Sequence, residues 1–143
     1  MPLGESVADL KQKQVNAQVN AGGTLQPQPV TLPAGVPLLR VSTADTNLAA
    51  WRAGSTALQE LTVSNLSASP IFVKLYNKAT APVLATDIPL VVIPVAANSF
   101  LSIEFGNVGK RFALGVGLAI TGAAPVTDAT TVGAGCILSA TYV

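Results

Sequence analysis

The chain has 143 residues, half of them hydrophobic and only 10% charged, with a formal net charge of +1. An ordinary soluble domain carries about 25% charged residues, so this surface is kept wet by Ser, Thr, Asn and Gln, and much of it is expected to be covered by partners. The length fits one domain with a real core. The absence of a basic run argues against nucleic-acid binding, the single cysteine excludes an intrachain disulfide, and no stretch approaches the roughly 20 apolar residues of a membrane span.

Residues 1–35 differ in texture from the rest, being polar and rich in Gln, Asn, Pro and Gly. Ser6 can cap a short helix over 7–20, whose apolar positions Val7, Leu10, Val15 and Val19 only partly match a helical stripe. Alone in water such a helix is marginal. Gly22-Gly23 ends it, and Pro27, Pro29 and Pro33 favour extended backbone after it. The segment reads as an extended N-terminal arm that docks onto something else. Its start, "MPLGESVADLKQKQ", has neither a basic region nor an apolar run of the signal-peptide kind, so assembly in a host cytoplasm is expected.

Residues 36–143 read as one β-domain. Strands are predicted over 37–43, 58–66, 70–78, 88–94, 99–105, 111–121 and 135–143. Turn signals such as Ser69-Pro70, Ala81-Pro82 and Gly106-Asn107 separate them. Several alternate with period two: Leu61 and Val63 oppose Thr62 and Ser64, and Ile71, Val73 and Leu75 oppose Phe72, Lys74 and Tyr76. Residues 45–53, "DTNLAAWRA", are expected to make a turn of helix, with Trp51 plugging the core. The expected fold is all-β, an antiparallel sandwich of jelly-roll-like or Ig-like type.

The stretch 111–121 is the most informative. Phe112, Leu114, Val116, Leu118 and Ile120 form a large apolar face, and Ala113, Gly115, Gly117 and Ala119 form a nearly bare one. Glycine weakens a strand interior unless something approaches closely. That something is either a neighbouring subunit or the chain's own loop. The four small residues, together with Val7, Leu10, Val15 and Val19, are the candidate interface.

Chemistry is thin. There is no histidine, which removes the usual catalytic triads and the commonest metal ligand. The acids are scattered singly. Strands could bring Glu60 and Glu104 together, but nothing in the sequence requires it, and a solvated face is the simpler reading. "GNVGKRF" imitates a phosphate loop, but its spacing is wrong and no helix follows. No catalytic residue, cofactor or metal is expected, and the chain does not read as an enzyme. A glycan-binding module would need exposed rings, for which Trp51, Tyr76 and Tyr142 are the candidates, Tyr76 or Trp51 foremost.

The phrases "VKLYNKATAP" (Val73–Pro82), "TDIP" (Thr86–Pro89), Arg111-Phe112 and "AITG" (Ala119–Gly122), with the Thr-rich loop that follows, resemble a group of small phage virion structural proteins of the head decoration (cement) type. The resemblance covers roughly residues 58–143. It implies a β-sandwich subunit on a virion, a homotrimer, and the major capsid protein or another virion protein as partner. It assigns no functional residue. Tail, neck and fibre-base positions are the alternatives.

Overall fold

A computed structural model describes residues 35–143. The expected helix over 7–20, and with it Val7, Leu10, Val15 and Val19, lies outside the described residues.

Nine strands follow in chain order: β1 (Val36–Val41), β2 (Ala49–Ala53), β3 (Thr56–Asn65), β4 (Ile71–Asn77), β5 (Val91–Val95), β6 (Ser99–Glu104), β7 (Lys110–Phe112), β8 (Gly115–Thr121) and β9 (Ile137–Tyr142). They build two antiparallel sheets. The first has the order β1-β9-β3-β6, with the short β7 also pairing β3; the second has the order β2-β8-β4-β5.

The pairing follows one rule. With β7 set aside, the first remaining strand pairs with the last (β1 with β9), the second with the second from last (β2 with β8), then β3 with β6 and β4 with β5, all antiparallel. The chain is one long ribbon of paired strands, rolled so that successive pairs fall in alternate sheets. Contacts β3–β9 and β4–β8 close the roll. This is a jelly roll, which decides between the two sandwich types expected.

Alternation sets what lies between the sheets. Leu61 and Val63 of β3 and Leu138 and Ala140 of β9 meet Val73 and Leu75 of β4 and Val116, Leu118 and Ile120 of β8. All are essentially buried, and each large aliphatic side chain contributes about 1.5–3 kcal/mol relative to exposure.

Two expectations are corrected. Residues 49–53 form strand β2, not a turn of helix. Ladder bonds to β8 outweigh the helical preference of Ala, and a bulge between Ala50 and Arg52 lets Trp51 pack on the core as the expected plug. The stretch 111–121 is two strands, not one. β7 pairs β3 in the first sheet, β8 pairs β2 and β4 in the second, and the chain crosses between sheets at Ala113-Leu114. Gly115, at φ +141°, makes that crossing.

Candidate functional site

The small face of β8 is covered by the chain itself. A Cβ placed on Gly117 would lie 3.2 Å from the Thr80 carbonyl oxygen, 3.3 Å from Cβ of Tyr76 and 3.5 Å from Cδ of Pro82. One on Gly115 would sit 2.5 Å from the Arg52 carbonyl oxygen. Ala119 packs with Tyr76 and Leu84 in a small second cluster. The close approach that the glycines require is thus made by the β4–β5 connection and the turn after β2, so Gly115, Gly117 and Ala119 are buried in the single chain. Leu114, expected on the core face, is exposed, as is Ala113, because both lie at the crossing.

The resemblance residues build that cover. Lys78, just after β4, forms an ion pair with Asp87, and the same Asp87 oxygen accepts the amide of Val83 at 2.6 Å. The bond from Lys78, then the one from Val83, holds the Asp87 carboxyl below its ordinary range. Asn77 Oδ1 accepts the amide of Leu114 at 2.9 Å, tying the crossing to β4. The phrase that stands out in the sequence is therefore a clamp that holds a loop on a sheet.

A second loop, after β8, covers the rest of this face. Lys74 is buried, and its ammonium donates to the Pro125 carbonyl at 2.6 Å. Burial lowers the Lys74 pKa, partly offset by the nearby Asp128 carboxylate. Asp128 is itself pushed up by burial but pulled further down by hydrogen bonds, first from the Thr130 hydroxyl. Tyr76 is also buried, and its hydroxyl has no partner among the described residues. Tyr76 and Trp51 do not present the exposed rings that a glycan platform needs.

The structure brings Glu60 and Glu104 directly opposite each other on β3 and β6. They stand on the outer face of the first sheet and not in a cleft. No group of three or more His, Cys, Asp or Glu that could hold a metal occurs among the described residues. A hollow of about 400 Å³ lies between Ser67, Ile71, Thr130 and Val132. Its walls carry hydroxyls and backbone but no titratable group, so it offers no acid or base.

Among the described residues, the outer face of the first sheet is the open one. The registers stack it in three rows across β1, β9, β3 and β6: Pro37–Thr141–Glu60–Glu104, Leu39–Ser139–Thr62–Ser102 and Val41–Ile137–Ser64–Phe100. Large apolar residues sit where an ordinary half-exposed antiparallel sheet places polar ones. The alternation in β3 and β6 is legible in the sequence. That Leu39, Val41, Ile137 and Phe100 share a face is not, because strand order decides it.

No protein-family model matches the chain, and no curated protein matches it in sequence. Two solved structures of the Tobacco streak virus coat protein are similar in backbone. One, a C2 crystal form, is 14% identical with a TM-score of 0.36, covering 80% of this chain and 88% of that chain. The other, a coat protein dimer, is 15% identical with a TM-score of 0.35, covering 78% and 88%. A likeness this weak leaves the role to be argued from the chain's own residues.

Proposed function

We propose that this chain is a virion structural subunit of the phage head decoration type, which stabilises a capsid through contact area and not through chemistry. The observation that carries the reading is the rolled ribbon with one sheet face clamped shut by its own loops and the other, among the described residues, left open with Leu39, Val41, Ile137 and Phe100 exposed on it. Jelly rolls serve capsids, lectins and cupins, and on fold alone that is an analogy. Within that set, the chain has no histidine, and its described acids do not converge in threes, which disfavours a metal-dependent enzyme on this frame. The sequence resemblance adds the virion, with the major capsid protein as partner and a homotrimer as the assembled form.

Residues 1–35 are proposed as an arm that extends the footprint onto capsid or sister subunits. The test is to add purified chain to undecorated capsids and measure occupancy. The full chain is expected to bind, and a variant lacking residues 1–34 to stay folded and lose binding. Failure of the full chain to bind any virion component would overturn the reading, and unchanged occupancy after the deletion would overturn the role of the arm. A tail or neck position is the second reading, and it differs in copy number.

A further inference from the structure

We infer that the open face of the first sheet binds the same face of a second copy, about a two-fold axis running parallel to the strands. The inference rests on the structural-subunit reading above and names the contact.

The loops that cover the second sheet do not reach this one. Among the described residues nothing lies over Leu39, Val41, Ile137 and Phe100, which are 69%, 53%, 39% and 65% exposed. Ile137 stands on the inner strand β9, and the other three stand on the two edges. Leu39 and Val41 stand on the edge strand β1, Phe100 stands on the opposite edge strand β6, and Ser139, Thr62 and Ser64 lie between them.

The row order makes the face complementary to itself. An axis along the strands keeps each row in place and exchanges its two ends. Val41 then meets Phe100 of the other copy, Ile137 meets the small Ser64, and Leu39 meets Ser102. In the remaining row, Glu104 meets Pro37 and Glu60 meets Thr141, so no carboxylate faces a carboxylate. An axis across the strands that stacked this acidic row on itself would set the four carboxylates against one another, which costs energy as these charges lose water. An axis across the strands through the middle row avoids that contact but sets Phe100 against Glu104, whereas the axis along the strands gives Phe100 the apolar partner Val41, with the faces crossing at the roughly 30° usual for aligned sheets.

Area predicts the strength. Four strands about 4.8 Å apart and six residues at about 3.4 Å each give a face of roughly 19 by 20 Å. Two such faces remove on the order of 800 Å² from water, below the roughly 1,200–2,000 Å² of a stable specific complex. The pairing is thus weak in isolation and suited to an assembly where many contacts act together. It is isologous, so it joins two chains or two trimers and gives even-numbered species.

The experiment has two arms, both on the full chain. Sedimentation velocity from about 10 μM to about 1 mM is expected to show reversible pairing, weakened about tenfold or more by Phe100→Glu and unaffected by Val108→Glu, a substitution on an exposed turn outside the face. In the second arm, Val41→Cys and Phe100→Cys chains are mixed under oxidation; Cys136 is fully buried and does not compete. The mixture is expected to cross-link in preference to either variant alone. A chain that stays monomeric at the highest concentration would overturn the proposal. So would a Phe100→Cys thiol shielded from alkylation in the monomer, since another segment of the same chain would then cover the face. Cross-linking of Val41→Cys with itself would overturn the axis. A chain that pairs in solution but is missing from particles would overturn the virion reading and leave the pairing standing. A monomeric chain that still occupies capsids would do the reverse.

Discussion

Asn65, the last residue of β3, accepts the thiol of Cys136 on its side-chain oxygen at 3.2 Å, across 71 positions of sequence. The same oxygen accepts the amide and hydroxyl of Ser67 at 3.0 and 2.7 Å, and the amide nitrogen donates to the carbonyls of Ser69, Val95 and Ala96. One fully buried side chain thus ties the β3–β4 turn, the end of β5 and the start of β9 together. Asn65→Ala strands several buried groups at about 1–3 kcal/mol each, and a loss of at least about 3 kcal/mol in urea unfolding is expected. Asn65→Asp should fail similarly, since it removes the donors. Cys136→Ala should cost less than either. A loss under about 1 kcal/mol for Asn65→Ala would contradict this account.

The glycines of β8 make a graded prediction. Gly115 combines φ +141° with a 2.5 Å clash against backbone, so Gly115→Ala should lower stability by about 3 kcal/mol or more. Gly117 has an ordinary backbone and a looser neighbourhood, so Gly117→Ala should cost about 1–2 kcal/mol and Gly117→Val more. Thermal melts of the purified variants check the order. If Gly117→Val instead left the fold intact and only dissociated an oligomer, the small face would be an interface between subunits and the loop over it would have to move.

Lys74 is testable through pH. Its folded pKa lies below the ordinary 10.5 because of burial. Between the two values the unfolded chain still holds a proton that the folded chain has lost, so stability rises with pH up to about 10.5. Lys74→Met keeps the buried stem and removes the titration. Its stability near neutral pH should lie within about 1.5 kcal/mol of the parent, and the difference between the two chains should shift toward the parent as pH rises. A constant difference across that window would show that the ammonium is not desolvated.

Asp87 titrates at the opposite end. Its carboxyl is held below the ordinary 3.8 by the bonds from Lys78 and Val83. The stabilisation is therefore fully present above about pH 4 and is lost as pH falls through the lowered value. Proteolysis within residues 79–86 should accelerate only under acid conditions in the parent, tested with an acid-active protease. In Asp87→Asn it should be fast at neutral pH as well. Equal cleavage of both chains at pH 7 would mean that the clamp does not hold the loop.

Much of the body was legible in the sequence, because seven of the strands alternate or form short apolar runs between turn residues. Three features were hidden for physical reasons. In β2, "AAWRA" has helical residues, and only its ladder to β8 and the bulge beside Trp51 make it a strand. In 111–121, Phe112 and Val116 both face the core, so the even spacing runs unbroken across a crossing between sheets. The role of "VKLYNKATAP" was invisible because the partner of Lys78, Asp87, lies beyond the loop it closes. The small face was recognised as needing a close neighbour, and sequence left open whether that neighbour belonged to the same chain. Glu60 and Glu104 could be paired only once β3 and β6 were known to be adjacent.

The claim beneath all of this is that the chain acts by covering surface in a virion. Absolute quantification of the chain in purified particles by mass spectrometry addresses it most directly. A head decoration subunit predicts copy numbers in the hundreds per particle, on the scale of the major capsid protein. Particles that lack the chain altogether would contradict the account.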